Sequence, residues 1–462
     1  MQFGHDTPDA TVQSAKPRGP PPRYSDVYPS GPLRKITGVR LPRKSPSTLW
    51  DVSIGDGKIS AIGPHTPGHP DISYVPGVLH ASERLLAPSL CHAHIHLDKC
   101  FLLQDPKFSD LEIKDGDFRE AMVLTSKAKS RFEEEDLLRR GRQLIEESIQ
   151  YGVTAMRAFV EVDGEVKFKC LESGLKLKQE FKDICEIQIC AFAQLPLFSG
   201  EDGGDEIRKL ITDAARREGV DVIGSTPYVE QDEAKTIMNL RWISTAALFN
   251  RKPLDLHLDY NLDKEKVPLI WATLEIIKAQ NWIERNGKVI TLGHCTRLTQ
   301  FAREDWNRLK QEIGDLPISF VGLPTSDLFM MRTDEGVRGT LPITKMIKEY
   351  KFNAAIAVNN IGNAFTPQGT CDPLSVASLG VAVYQAGTKS DSETLYECVS
   401  SRAKAAIGLR WTSLDLNIGD PADFVLFDRT NVGWRRRKTI KEAVLDGGTS
   451  RQTIRNGKLI AY

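Results

Sequence analysis

His92-Ala-His-Ile-His-Leu-Asp98 holds three of the nine histidines of this 462-residue chain, and it follows an apolar run at 85–88. Such a run predicts a buried strand. In an extended chain successive side chains point to opposite faces, so His94 and His96 share one face while Ile95 points to the other. Two imidazoles on one face can hold a single transition-metal ion. The segment therefore predicts a metal site at a strand end, with His94 and His96 as the first two ligands.

Strand-like apolar runs continue along the chain and alternate with amphipathic helical stretches. The candidate strands are 85–88, 155–160, 187–192, 220–223, 254–257, 289–293, 318–321 and 354–358. One helical stretch, 133–150, carries apolar residues near a 3.6-residue period and ends before Gly152. Strands that alternate with helices favour parallel βα units. The sequence therefore predicts an α/β fold, a (β/α)8 TIM barrel over residues 86–408, with its active site where the strands end.

The two ends of the chain differ from this middle part. Residues 1–30 are rich in proline and poor in apolar side chains, which predicts a disordered tail. Residues 31–85 and 409–462 contain short strand-like runs separated by Gly, Pro and Asp turns. Because neither piece can bury a good core alone, we expect the two to pair into one small split β-domain.

Composition excludes several classes of partner. Lys and Arg total 61, as do Asp and Glu, so no net field favours nucleic acid or an anionic membrane. The chain has no secretory leader pattern and no long apolar run, which makes a cytoplasmic location the default. Its eight cysteines are scattered without a CxxC pair, which predicts reduced, buried thiols. The expected partner is a small-molecule substrate, and the composition leaves a homo-oligomer open.

Two more histidines fall at predicted strand ends. His257 ends the run 254–257, and Asp259 follows on the same face. His294 comes just after the run 289–293, where it can bind metal or, as a neutral imidazole, orient a metal-bound water. A single histidine at a strand end is more often a hydrogen-bonded core residue. Together with the His-x-His pair, however, these positions predict a shared metal site.

The segments around these residues resemble the amidohydrolase superfamily of metal-dependent hydrolases, and within it the cytosine deaminase-like branch. The resemblance rests on Pro88-Ser-Leu-Cys-His-Ala-His-Ile-His-Leu-Asp-Lys99, Ile189-Cys-Ala-Phe-Ala-Gln194, Leu254-Asp-Leu-His257, Gly293-His-Cys-Thr296, Phe365-Thr-Pro-Gln-Gly-Thr370, Ile418-Gly-Asp-Pro-Ala-Asp423 and Arg455-Asn-Gly-Lys458. It implies that His94, His96 and His257 bind one divalent metal, zinc or iron. It also implies that His294 acts in the site and that Gln194 contacts the amide or ring edge of the substrate.

The sequence departs from the family pattern at two positions. Asn359 stands where the family has a metal-binding Asp that accepts a proton, and Tyr260 stands where the cytosine deaminases have a Glu. An amide oxygen can bind a metal weakly, but it cannot accept a proton from water. Asp259 lies on the same strand face as His257, and Asp98 lies on the same face as His96. Each is therefore a candidate to replace the missing acid or base, and Asp98 is also a candidate to bind the substrate. For both residues, a carboxylate that is simply solvated in a turn is an equal alternative.

The predicted function is therefore a hydrolase that uses a metal-activated water to cleave a non-peptide C–N bond (amide, cyclic amide or amidine) in a small molecule. The alternative is a catalytically impaired barrel that binds or regulates, because Asn359 and Tyr260 replace the usual acids. The unrelated zinc base deaminases need H-x-E with P-C-x-x-C, and a nucleophile elbow needs G-x-S-x-G. The chain contains neither pattern.

Overall fold

The computed structural model describes residues 31–66, 75–334, 336–410, 413–428 and 437–460. The tail predicted at 1–30 lies outside the described residues. The strands before the barrel are β1 (Lys35–Val39), β2 (Trp50–Gly55), β3 (Lys58–Pro64), β4 (Val78–His80) and β5 (Leu85–Pro88). The barrel strands are β6 (Leu90–His96), β7 (Val153–Glu161), β8 (Glu186–Ala193), β9 (Val220–Ser225), β10 (Leu254–Leu258), β11 (Ile290–His294), β12 (Ile318–Gly322) and β13 (Ala354–Ile356). The last strands are β14 (Phe424–Phe427), β15 (Arg451–Arg455) and β16 (Lys458–Ile460).

Strands β6 to β13 pair in parallel and in chain order, each with the next. The sheet closes on itself just beyond β13, where the His96 amide donates to the Asn359 carbonyl over 2.9 Å and the Asn359 amide donates to the His94 carbonyl over 3.2 Å. The predicted (β/α)8 barrel is therefore confirmed. Its closure brings Asn359 beside both histidines of the first strand.

One predicted strand belongs to a different sheet. The run at 85–88 forms β5, which pairs antiparallel with β14, Leu85 opposite Phe427 and Pro88 opposite Phe424. The first barrel strand is β6, which contains the histidine segment itself. All residues of β5 and β6 are buried, so an apolar pattern could not tell which sheet each strand joins.

Helices follow the barrel strands and cover the outside of the sheet, and one last helix lies between β14 and β15. They are α1 (Phe118–Lys129), α2 (Glu134–Gln150), α3 (Lys169–Glu180), α4 (Asp205–Arg216), α5 (Glu233–Phe249), α6 (Leu269–Ala279), α7 (Trp282–Arg285), α8 (Arg303–Ile313), α9 (Pro324–Met330), α10 (Ile343–Lys348), α11 (Pro373–Val383), α12 (Lys389–Cys398), α13 (Ser401–Ala406) and α14 (Ile440–Asp446). The helix predicted at 133–150 is α2. It begins where Asp136 accepts the Glu133 amide over 2.6 Å, and it buries Leu144 and Ile149 in the core.

The terminal segments build two small sheets, ordered β3-β2-β1-β4 and β16-β15-β14-β5. Apolar side chains of both sheets, among them Val52, Leu86 and Phe424, share one buried cluster. This packing explains how two short pieces far apart in sequence bury a common core.

All eight cysteines are buried and free, as predicted. None of the helices among the described residues is both long and apolar enough to cross a membrane.

Candidate metal centre and active site

Three histidines meet at the carboxyl ends of two barrel strands. His94 and His96 come from β6 and His257 from β10, and one ring nitrogen of each lies within 4.8 Å of the others. The ring centroids are 5.4 Å apart for His94 and His96 and 4.6 Å apart for His94 and His257. Within the described ranges this is the one group of three or more such side chains with metal-ligand spacing. The structure thus brings together the histidines that the sequence assigned to a metal.

Several nitrogen atoms in this group are buried and have no hydrogen-bond partner. They are Nδ1 and Nε2 of His94, Nδ1 of His96 and Nε2 of His257. Buried polar side-chain atoms nearly always have a partner in folded proteins, so three imidazoles with metal-ligand spacing and unpartnered ring nitrogens fit a metal ion. Imidazole nitrogen is a preferred ligand of zinc and of iron.

The histidines are held in the form that binds metal. Burial lowers the pKa of His94, His96 and His257 well below the ordinary value, and neighbouring histidines and the Lys99 ammonium lower the pKa of each further. A histidine must be neutral to bind a metal. The environment therefore keeps all three imidazoles ready to bind.

Asn359 adds an oxygen to this group. Its Oδ1 atom is buried without a partner, while its Nδ2 donates to Ser326 Oγ over 2.7 Å. The residue has a φ of 70°, in the left-handed region that asparagine tolerates better than most residues. The amide therefore presents an oxygen, a weak metal ligand, at the position where the family carries a carboxylate.

Aromatic rings form the floor below the histidines. The ring of Phe159 lies 4.1 Å from that of His94, and the ring of Phe192 lies 4.2 Å from that of His257. Gly293 on β11 lets His94 pack closely, because a Cβ there would lie 3.2 Å from two atoms of the His94 ring. The apolar floor fixes the imidazoles without offering them another hydrogen-bond partner.

His294 is positioned by a carboxylate. Its Nδ1 lies 2.9 Å from Asp327 Oδ1, and Asp327 Oδ2 accepts the hydroxyl of Thr340 over 2.7 Å. The backbone φ of His294 is 65°, a left-handed conformation that is uncommon for this residue and is often found at functional sites. Because Nδ1 is held by Asp327, Nε2 is the nitrogen that His294 can offer to the cavity that it lines.

The two candidate carboxylates from the sequence bind backbone amides instead of facing this cavity. Asp259 accepts the amides of Leu269 and Ile270 at the start of α6, over 2.7 and 3.0 Å. Asp98 Oδ2 accepts the amide of Glu161 over 2.7 Å. Burial raises the pKa of Asp259 to about 7, and burial and the charge of Glu161 raise that of Asp98 to about 6. Alternation along a strand predicted that both carboxylates share a face with the histidines. The chain turns immediately after each strand, however, so the carboxylates reach backbone amides instead.

A narrow cavity of ≈ 20 Å³, close to the space of one water molecule, lies above the metal group. Its walls are formed by His96, Lys99, Phe118, Gln194, Tyr228, His257, Tyr260, His294, Asn359, Asn360 and Phe365. Gln194, predicted to contact substrate, lies on this wall. Tyr260, which replaces the family Glu, packs its ring 3.9 Å from that of His294. The wall therefore combines four Phe and Tyr rings with seven imidazole, amide and ammonium side chains.

Sequence reasoning missed Asp327, Lys99 and most of the aromatic wall. Asp327 follows the candidate strand 318–321 closely, so a search for polar residues after every strand would have found it. Lys99 was part of the quoted histidine segment, but its long side chain reaches the cavity after the chain has left the strand. Phe118 is the first residue of α1, after a long loop in which strand periodicity carries no information.

No family model matches the chain. The chain is 23% identical over 390 residues to N-isopropylammelide isopropyl amidohydrolase of Pseudomonas sp. (strain ADP), which covers 82% of this chain and 87% of the relative. The fold of the present chain is similar to that of 5-methylcytosine deaminase from Klebsiella pneumoniae, with a TM-score of 0.78 and 22% identity. The match covers 92% of this chain and 97% of the deaminase. An adenosine deaminase from Xanthomonas campestris with bound zinc gives a TM-score of 0.62, 16% identity and coverage of 94% and 93%.

These proteins are amidohydrolases and deaminases, so the comparisons confirm the resemblance to the amidohydrolase superfamily and its deaminases. Their names describe enzymes that act on C–N bonds. This agrees with the predicted hydrolase, and none of the names supports the alternative of an impaired binding protein.

Proposed function

We propose that this chain is a metal-dependent hydrolase that cleaves a non-peptide C–N bond of a small molecule, with deaminase-like chemistry on an amide, a cyclic amide or an amidine. One observation carries the proposal. His94, His96 and His257 each bring one ring nitrogen within 4.8 Å of the others, and each ring has at least one buried nitrogen without a hydrogen-bond partner. The names of the relatives support the same reaction class.

The metal would be held by His94, His96, His257 and the amide oxygen of Asn359. Zinc and iron both suit imidazole ligands, and a zinc-bound structural neighbour supports a divalent metal. When bound, such an ion lowers the pKa of a coordinated water and polarises the bond to be cleaved. The three imidazoles would each use their basic nitrogen to bind the metal, and an amide oxygen is not basic near neutral pH, so none of the four ligands would also accept a proton.

His294 is the residue that we propose for proton transfer. Its Nδ1 faces the Asp327 carboxylate, which leaves Nε2 to accept a proton from the attacking water and to donate it to the leaving nitrogen. Asp327 acts through His294 as a positioning residue. This role of His294 compensates for the missing acid at 359 and the missing acid at 260.

Gln194 is proposed to bind the substrate, because its side chain lies on the cavity wall and an amide can both donate and accept. Asp98 and Asp259 are proposed to support the site by fixing the backbone next to His96 and His257. We also propose that residues 31–85 and 409–462 form one β-domain beside the barrel, which their shared apolar cluster supports. A cytoplasmic location, the homo-oligomer and the lack of nucleic-acid or membrane partners stay predictions.

The test is metal content together with product release. Protein purified without added metal and then loaded with zinc or ferrous iron should bind about one ion per chain. It should release ammonia or amine from at least one member of a panel of amino-substituted heterocycles. His257→Gln should lose both properties. His65→Gln, which changes a histidine in the first terminal sheet, is the matched control and should keep both.

Two results would overturn the proposal. The first is a folded protein that binds well under one equivalent of either metal. The second is a loaded protein that releases nothing from the whole panel, while the Asn359→Asp variant does. That second outcome would favour the catalytically impaired binding protein.

A further inference from the structure

A buried ammonium forms part of the cavity wall. The side chain of Lys99 is 3% exposed, and its Nζ donates to Glu161 Oε1 over 2.6 Å and to Gln194 Oε1 over 3.4 Å. The same nitrogen lies 5.1 Å from the centroid of the Phe365 ring, which also lines the cavity. An ammonium has three N–H donors, and described residues supply an oxygen to two of them. The third has no oxygen partner.

The charges around Lys99 keep it fixed in place. Glu161 is ionised: burial opposes this, but Lys129 and Lys99 outweigh it and lower the pKa of Glu161 to about 2. Glu161 also accepts from Lys129 Nζ over 2.6 Å, and Lys129 in turn pairs with Asp163. The carboxylate of Glu161 is therefore shared between two ammonium groups. Lys99 keeps one donor without an oxygen partner among the described residues, next to the Phe365 ring at the edge of a cavity that a ligand would fill.

The ammonium also decides how Gln194 is turned. Because an ammonium can only donate, the amide of Gln194 must direct its oxygen toward Lys99. Its NH2 group is then left for the cavity, and no described residue accepts a hydrogen bond from it. The backbone is held by Thr226, whose hydroxyl donates to the Gln194 carbonyl over 2.8 Å. Two donors, Lys99 Nζ and Gln194 Nε2, thus lie side by side on the wall.

We propose that Lys99 and Gln194 form a pair of hydrogen-bond donors, and that this donor pair selects substrates by the acceptor atoms along one edge of the substrate ring. The inference takes the reaction from the proposed function and adds the class of substrate. The edge must offer two acceptors, a carbonyl oxygen and an unprotonated ring nitrogen. Cyclic imides that have lost their acidic ring proton offer that edge, and the ammonium favours their negative charge. In a ring that keeps the N–H beside the carbonyl, this N–H would face the NH2 group of Gln194, and two donors cannot form a hydrogen bond with each other. The aromatic wall suits a planar ring.

The binding of two pyrimidine rings tests the donor pair without any turnover. The nitro group of 5-nitrouracil makes its ring proton acidic, so this ring is an anion at neutral pH, whereas thymine, of similar shape, keeps its proton. On zinc-loaded protein, calorimetry should show 5-nitrouracil binding at least about tenfold more tightly than thymine. The near-ultraviolet absorption of bound 5-nitrouracil should be that of the anion.

Variants separate recognition from folding. Lys99→Met combined with Glu161→Gln removes the ammonium without leaving its carboxylate unpaired, and it should abolish the preference for 5-nitrouracil. Gln194→Glu places an acceptor where the NH2 group was, and it should reverse the preference toward thymine. Circular dichroism and zinc content would show that both variants are folded.

Equal binding of the two rings by the unchanged protein would overturn the inference, as would a preference that survives in both variants. These outcomes are distinct from failure of the proposed function, which is judged by metal content and product release. Selective binding of 5-nitrouracil by a protein that hydrolyses nothing would sustain the donor pair and reject the hydrolase.

Discussion

Asn359 donates from Nδ2 to Ser326 Oγ over 2.7 Å, and this contact fixes which end of the amide faces the histidines. Ser326 Oγ is in turn paired with Thr366 Oγ1 over 2.5 Å. The oxygen of Asn359 is left buried and unpartnered beside His94. With Ser326 Oγ donating to Thr366 Oγ1, the serine accepts the NH2 group of Asn359, and this leaves the amide oxygen as the atom that could bind a metal.

Replacing Ser326 tests this orientation. In Ser326→Ala the amide of Asn359 loses its partner and is free to turn its NH2 group toward the metal. We expect zinc affinity to fall by about tenfold or more, as is usual when a group that orients a ligand is removed. Competition with a chelator would measure it. Ser244→Ala, which removes a buried hydroxyl within α5, is the control; equal losses in the two variants would reject the orienting role.

Asn359→Asp tests whether the missing carboxylate limits the enzyme. A carboxylate is a stronger ligand for zinc, so the metal should bind more tightly. If His294 already transfers the proton, the rate of product release should not rise by more than about tenfold. Steady-state assays on zinc-loaded protein would measure the rate. A variant that is active while the unchanged chain is inactive would show that the asparagine impairs the site.

The sequence was sufficient to predict the barrel and three histidines, because strand alternation and strand ends are local features. Asn359 was also found, since it follows the last apolar run. The carboxylates illustrate the limit of such reasoning. Asp98 and Asp259 share the correct faces by alternation, yet the turns after the strands direct both to backbone amides. Asp327 reaches His294 from α9, which follows the next barrel strand, and only the folded barrel brings the two together.

Asp327→Asn tests the role of the carboxylate behind His294. An amide can present either a donor or an acceptor to Nδ1, so the imidazole loses its fixed tautomer. We expect kcat to fall by about 100-fold or more, with little change in KM or zinc content. Thr340→Val removes the other side-chain partner of Asp327 and should have a much smaller effect. A variant that loses zinc together with activity would mean that Asp327 maintains the metal site.

His92 should make the protein sensitive to acid. This histidine is buried against Ser148 Oγ at 3.1 Å, and burial lowers its pKa to about 4. Its ordinary pKa is about 6.5, so the unfolded chain takes up a proton first as the pH falls. The stabilising contribution is therefore present above that value and is lost as the pH falls toward the folded pKa.

Urea unfolding of metal-free protein would measure the effect. Between pH 7 and pH 5 the unchanged chain should lose about 2 kcal/mol more unfolding free energy than His92→Gln does. The other buried histidines are present in both proteins, so their contributions cancel in this difference. Equal losses for the two proteins would show that His92 takes no part in the acid sensitivity.

Phe118 should control entry to the cavity. Its ring lies 5.8 Å from that of Phe365, 5.9 Å from that of Tyr260 and 6.4 Å from that of Tyr228, and the space they enclose is only ≈ 20 Å³. A planar ring is far larger than this space, so at least one of the aromatic side chains must move before it can bind. Phe118 stands at the first position of α1, after a long loop, and its side chain is half-buried.

Phe118→Ala should therefore speed the association of 5-nitrouracil while lowering its equilibrium affinity by up to about tenfold, because one aromatic contact is lost. Stopped-flow absorption at several ligand concentrations would give both rates. Val123→Ala changes a half-exposed residue of the same helix that does not line the cavity, so it should leave both rates unchanged. If Phe118→Ala also leaves the association rate unchanged, the barrier to entry lies in Tyr228, Tyr260 or Phe365, and the same measurement on an alanine variant of each would locate it.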